Sequence, residues 1–289
     1  MRTPIYRGIL LCLAFVLCGL ARPAIAQTCN GLTCTIIGTG GDDVLNGTPY
    51  TDVICALEGT DIVYAGGGDD TICGGVGPDQ LYGQGGADTL IGDAGDDLLD
   101  GGVGSDMARY SAQVTANLST ATGILGTDSL SSIENLYGSD SDDTLTGDSL
   151  SNYLIGAGGN DTITGNDGND ILDGRSGNDT LIGGNGADQL FGASGVDTAI
   201  YLTASNVSLK FGTASDGDTL SGIENLTGSS GNDLLEGDDF ANVLNGGSGS
   251  DNLYGGAGTD TCNGGAPPPP IGAESDFCFD CETVTSCGF

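Results

Sequence analysis

The 289-residue chain contains no histidine and no tryptophan, and it has six lysines and arginines against 40 aspartates and glutamates. Without histidine it lacks the usual general base, the histidine-dependent nucleophilic triads and the zinc-protease helix motif. Its one lysine, Lys210, stands in no phosphate-binding loop. Scarce positive charge leaves no basic stripe that could track phosphates, so neither nucleic acid nor an anionic membrane surface is an expected partner. Long apolar runs are missing too: Ile9 to Leu20 is too short to favour a bilayer span, and no membrane insertion is expected.

That run has another reading. Arg2 and Arg7 precede it, and Ala24-Ile25-Ala26 places small residues before Gln27, the pattern of a secretory signal peptide over 1–26. Three of the six basic residues lie in that segment, so the remaining chain holds 3 against 40 acids, a net charge of −37. The expected location is outside the cell or in a periplasm. Eight cysteines follow the cleavage site, Cys29, Cys34, Cys55, Cys73, Cys262, Cys278, Cys281 and Cys287. An even number in an exported chain points to disulfides.

What the chain has in excess is glycine, 54 residues of it, arranged on a nine-residue beat G-G-x-G-x-D-x-(Leu/Ile)-x. Examples are GGVGPDQLY (Gly74 to Tyr82) and GAGGNDTIT (Gly156 to Thr164). Counting from Gly38 gives a block of units over 38–109, a second over 138–200 and a third over 228–263. The eighth position is aliphatic almost throughout, as in Leu45, Ile54, Val63, Ile72, Leu81 and Leu90. Side chains alternate along a strand, so position eight should point inward and positions seven and nine outward.

The sixth position is acidic. It reads Asp43, Asp52, Asp61, Asp70, Asp79, Asp88, Asp97 and Asp106 in the first block, and Asp143, Asn152, Asp161, Asp170, Asp179, Asp188 and Asp197 in the second. In the third it reads Asp233, Asn242, Asp251 and Asp260. If two units make one coil, residues 18 apart stack at the strand spacing of about 4.8 Å, where carboxylates repel strongly unless a cation lies between them. Calcium accepts six to eight oxygens from carboxylates and backbone carbonyls, which stacked glycine turns with one acid each can present. Every acid in this row except Asp52 is therefore a candidate calcium ligand, each a half-site completed one coil later. The units 47–55 and 56–64 lack part of the glycine set, and Asn152 and Asn242 replace the acid, so weak binding or none is expected there.

On these residues the chain resembles the RTX, or hemolysin-type calcium-binding, nonapeptide-repeat proteins. The resemblance implies an all-β fold, a parallel β-roll or right-handed β-solenoid over 38–265, with Ca2+ as its cofactor. Relatives carry such repeats beside a protease, lipase, toxin or polysaccharide-modifying domain, and here no such domain is left over.

Two interruptions, 110–137 and 201–227, both follow G-x-D-x-A-x-Y and both contain I-E-N-L (Ile133 to Leu136, Ile223 to Leu226). Alternating Val114, Ala116, Leu118 and Val207, Leu209, Phe211 read as strands of widened coils. Glu134 and Glu224 are either extra ligands or acceptors for backbone amides in a modified turn. No regular outward threonine row is apparent. Residues 27–37 are expected to cap one end and 266–289, a Pro-rich linker with a cysteine-rich tail, the other. Cys55 and Cys73 both occupy position nine, 18 residues apart, so they are expected to bridge adjacent strands on an exposed face. A zinc or redox role for the C-x-x-C at Cys278 and Cys281 has less support, because no histidine or second C-x-x-C accompanies it.

The function these features support is that of an exported calcium-binding repeat protein, structural or adhesive and not an enzyme, folding when calcium binds. An extracellular polysaccharide or a cell surface would be its partner. The alternative is a sugar-active solenoid enzyme of the lyase or epimerase type, drawing on Asp, Arg109, Tyr110 and Tyr201.

Overall fold

The computed structural model describes residues 27–265 and 276–287; the expected signal peptide over 1–26 and the prolines Pro267 to Pro270 lie outside them. The described residues form no helix. They build a parallel β-solenoid of two facing 15-stranded sheets, with a short antiparallel hairpin, Thr28–Cys29 with Leu32–Thr33, beside them. Among the described residues no helix is long and apolar enough to cross a membrane. Consecutive units alternate between the sheets, so each strand pairs in parallel with the one 18 residues on: Ile54 faces Ile72 and Ile72 faces Leu90 in one sheet, Val63 faces Leu81 and Leu81 faces Leu99 in the other.

Position eight fills the interior. Ile54, Val63, Ile72, Leu81, Leu90, Leu99, Leu154, Leu172 and Leu181 are fully buried in one continuous cluster. Position one also points inward, as glycine or as Ala56 and Ala65. A buried aliphatic is worth about 1.5–3 kcal/mol, whereas ordering the backbone costs roughly 1–2 kcal/mol per residue. One aliphatic per nine residues cannot offset that cost, and most of the stability has to come from the turns.

Two glycine positions show how tightly those turns pack. At the fourth position Gly77 has φ of 126°, and a Cβ there would lie 1.7 Å from the carbonyl oxygen of Gly59 one coil back. At the first position a Cβ on Gly74 would lie 2.6 Å from Oδ2 of Asp79 in its own unit. The second position is less demanding, since Leu57, Gln84, Ala157, Asn166 and Arg175 all adopt left-handed φ of 71° to 89° there.

Both interruptions widen the solenoid by a detour. Val114–Asn117, Thr120–Gly123 and Gly126–Ser131 run up, down and up within one sheet, so the middle strand is antiparallel to both neighbours. Asn206–Ser208, Thr213–Ala214 and Thr219–Ser221 do the same in the opposite sheet, and the two detours leave the sheets with equal strand numbers. Val114, Ala116 and Val207 are buried as the alternation predicts, but Phe211 sits in the tight turn of the second detour and is 71% exposed. The alternation of units also sets Thr115, Thr144, Thr162, Thr180 and Thr198 in register on adjacent strands of one sheet, a threonine row not expected from counting in nines.

The cysteines correct one expectation. Cys55 and Cys73 do stand side by side on adjacent strands, yet they are not bonded to each other. Cys73 bonds Cys29 and Cys55 bonds Cys34. The N-terminal hairpin lies over this outer face and buries Cys29, Cys34 and Cys55 with Ile91, so each strand cysteine meets a partner from above before it meets its neighbour. At the other end Cys262 bonds Cys281 and Cys278 bonds Cys287. Peptide mapping without reduction should recover Cys29–Cys73 and Cys34–Cys55, and the double variant Cys34→Ser, Cys55→Ser should lose about 2–4 kcal/mol of stability in denaturant titration. A Cys55–Cys73 peptide would contradict the hairpin's position.

Candidate metal centre

The sixth-position aspartates form two buried ladders, one along each sheet. In each, Oδ1 accepts the backbone N–H of the aspartate one coil earlier: Asp88 from Asp70, Asp97 from Asp79 and Asp179 from Asp161, each at 2.8 Å. The 18-residue stacking is thus a row of charge-assisted hydrogen bonds between an acid and the amide of the next acid.

The second oxygen divides the row into two kinds. Oδ2 of Asp61, Asp70, Asp79, Asp88, Asp97, Asp106, Asp161, Asp170, Asp179, Asp188, Asp197 and Asp260 is buried and accepts no hydrogen bond. A buried carboxylate oxygen without a partner is costly. In the first two units of each block, by contrast, position two is Ser, Thr or Asp and closes the site from within. Thr39 donates its N–H (2.6 Å) and hydroxyl (2.9 Å) to Oδ2 of Asp43, and Thr48 does the same for Asp52 (2.7 and 2.8 Å). Ser139 closes Asp143, and Ser229 closes Asp233. Asn152 and Asn242 accept the N–H of Asp148 and Asp238 and donate to the carbonyls of Glu134 and Glu224.

In the glycine-poor unit 56–64 the Oδ2 of Asp61 is open like those of Asp70 and Asp79 in the units that follow. Leu57 takes the left-handed conformation in place of glycine while Gly59 keeps the essential fourth position. Asp251 continues its ladder, donating its N–H to Asp276.

Sequence reasoning overlooked four of the six residues that end the ladders, Asp128, Asp218, Asp276 and Glu282, and left the role of Glu134 and Glu224 open between ligand and backbone acceptor. Asp128, Asp218 and Asp276 accept the N–H of Asp97, Asp188 and Asp251, while Glu134, Glu224 and Glu282 accept that of Asp106, Asp197 and Asp260. Glu134 and Glu224 therefore serve as backbone acceptors. In all three cases the Glu follows the Asp by six positions, in DSLSSIE, DTLSGIE and DFCFDCE. The third copy was hidden because Cys278 and Cys281 replace its Leu and Ile.

Burial raises the pKa of the open aspartates. Each is lowered somewhat by the amide whose hydrogen bond it accepts, and most are raised further by nearby acids, as Asp161 is by Asp179 and Asp143. Asp97 and Asp161 are pushed to about 7, and Asp70, Asp79, Asp106 and Asp170 to about 6, from an ordinary 3.8. The hydroxyls of Tyr110 and Tyr201 are buried, and desolvation with the negative charge of Asp128 and Asp218 raises both phenols well above their ordinary value.

A divalent cation fits this chemistry. Among the described residues no three acidic or thiol side chains gather at one point, so most of its oxygens would come from turn carbonyls. These are at hand: the space a Cβ on Gly74 would fill lies 2.6 Å from Asp79 Oδ2 and 2.9 Å from the carbonyl oxygen of Gly92, one coil on. Only oxygen ligands are available, as a hard cation such as calcium prefers.

A family model, the RTX calcium-binding nonapeptide repeat in four copies, matches residues 37–72, 74–108, 131–163, 146–181, 164–199, 218–239 and 236–266, more than half of the chain. No curated protein matches. Among solved structures, that of the extracellular lipase LipA from Serratia marcescens is 19% identical with a TM-score of 0.26. It covers 64% of this chain, which spans 35% of the lipase. That likeness is too loose to bear on fold or activity.

The raised pKa values carry a pH prediction. A carboxyl that ionises less readily in the fold than in the unfolded chain adds stability below its ordinary pKa and loses it as pH climbs to the folded value, here from 3.8 to about 6–7. In chelator, acidification from neutral pH toward about pH 4 should therefore increase the β-sheet circular dichroism signal. A signal that falls on acidification would contradict the burial of open carboxylates.

Proposed function

Since the chain belongs to the RTX calcium-binding nonapeptide-repeat family, we propose that it is an exported, calcium-stabilised structural or adhesive protein whose roll is completed by ions at the open aspartates. The observation that carries this reading is the row of buried, unpartnered Oδ2 atoms. When bound, calcium supplies positive charge where stacked carboxylates would otherwise repel. The chain's own part is to hold each Oδ1 on a backbone amide, keep Oδ2 turned toward the glycine carbonyls, and shield the row from water.

The ligands are assigned accordingly. Asp61 through Asp106, Asp161 through Asp197 and Asp260 along the sixth position would take the ions. Asp43, Asp143 and Asp233 stand at the closed ends, where Thr39, Ser139 and Ser229 already provide the hydrogen bonds. Export is supported by the four disulfides, which persist in oxidising compartments. The enzyme alternative has less support, because the hydroxyls of Tyr110 and Tyr201 are buried, with the phenols held protonated and unsuited to take a proton from a sugar.

Calorimetry tests the assignment. Asp79→Ala should lose bound calcium, whereas Asn152→Ala and Asp143→Ala should bind nearly as much as the native chain, and magnesium should substitute poorly because it demands a smaller octahedral shell. Equal losses from all three would show that open and closed units do not differ. No calcium binding by the native chain would overturn the reading as a whole.

A further inference from the structure

The described residues contain three cations, Arg109, Arg175 and Lys210, and two of them converge on one ring. Arg175 is engaged: it pairs with Asp173 at 3.1 Å and donates to the Tyr137 hydroxyl at 2.6 Å. Arg109 lies over the same ring, 4.0 Å from its centroid. In a chain with so many acids, Arg109 has no hydrogen-bond or ion-pair partner among the described residues. Its guanidinium is positioned by stacking, and its five donors are unspent.

Arg109 and Tyr137 line a cleft of about 360 Å³ between the N-terminal hairpin and the sheet, within the usual size of a small-molecule site. Ile91 and the Cys73 disulfide give it an apolar side, while Asn30, Asp93 and Asp140 give it amide and carboxylate groups. A phosphate or sulfate would satisfy Arg109 but has no donors for Asp93 and Asp140, and would be repelled by them. A neutral sugar would satisfy the carboxylates with its hydroxyls and leave Arg109 idle. A ligand with one carboxylate and several hydroxyls meets both demands.

We propose that this cleft binds an acidic sugar, a uronate unit of a polysaccharide, with Arg109 clasping its carboxylate and Asp93, Asp140 and Asn30 taking its hydroxyls. The inference deepens the adhesive reading and rests on it for its biological role. The chain's net negative charge does not forbid it, since charges farther than about 8 Å are largely screened at physiological salt and the acid ladders lie in the turns.

The test is calorimetry of the full chain in calcium with a galacturonate trimer, beside a neutral galactose trimer and glycine. The native chain should bind the galacturonate trimer and neither control. Arg109→Ala should weaken binding by at least about tenfold, the loss expected for a hydrogen-bonded charge. Arg109→Lys, which keeps the charge without the fork, should retain part of it, and Lys210→Ala should change nothing. Binding undiminished in Arg109→Ala would show the acid held by calcium instead, and equal affinity for the galactose trimer or for glycine would reject the ligand class; each overturns the proposal. Circular dichroism of the same samples separates the two readings. A folded native chain that ignores the trimer ends the sugar proposal and leaves the calcium-dependent fold standing, whereas a chain that fails to fold in calcium ends both.

Discussion

The structure depends on one arrangement: an aspartate buried in most turns, with one carboxylate oxygen held by the amide of the coil before it and, in most of them, the other left open. The amide bond fixes the stacking. The open oxygen fixes the chemistry, since burying it unpaired in row after row is affordable only if a cation or a donor closes the site. The glycines follow from the same arrangement. Gly74 leaves room for the carboxylate, and Gly77 lets successive turns approach until their carbonyls line up.

The chain closes its sites in two ways, and their order is systematic. Each block opens with two units in which Thr, Ser or Asn completes the hydrogen bonds from within, and open aspartates such as Asp61, Asp161 and Asp260 follow. Each block also ends alike, with an Asp and a Glu six residues apart receiving the last amides. Three blocks of one design are thus joined by detours on opposite sheets, with disulfides at the two ends of the described solenoid.

Much of this was legible in the residues themselves. The nine-residue period, the aliphatic at position eight and the 18-residue stacking of acids all follow from local rules, and Ile54, Ile72 and Leu90 stack as those rules require. What escaped depends on contacts between distant segments or on chemical substitution. The N-terminal hairpin captures Cys55 and Cys73 from above, which no spacing between the two reveals. Cys278 and Cys281 disguise the third copy of the ladder-ending motif. The Ser and Thr at position two were visible as Thr39, Thr48, Ser139 and Ser229, but their meaning emerges only when the hydroxyl is seen on Oδ2 of the acid four residues on.

Hydrogen exchange at the aspartate amides tests the central claim most directly, because those amides are the bonds that hold one coil to the next. The account predicts that the amides of Asp61, Asp70, Asp79 and Asp161 are strongly protected in calcium and lose that protection in chelator at neutral pH. Protection that is the same with and without calcium would show that the open carboxylates need no cation, and would contradict it.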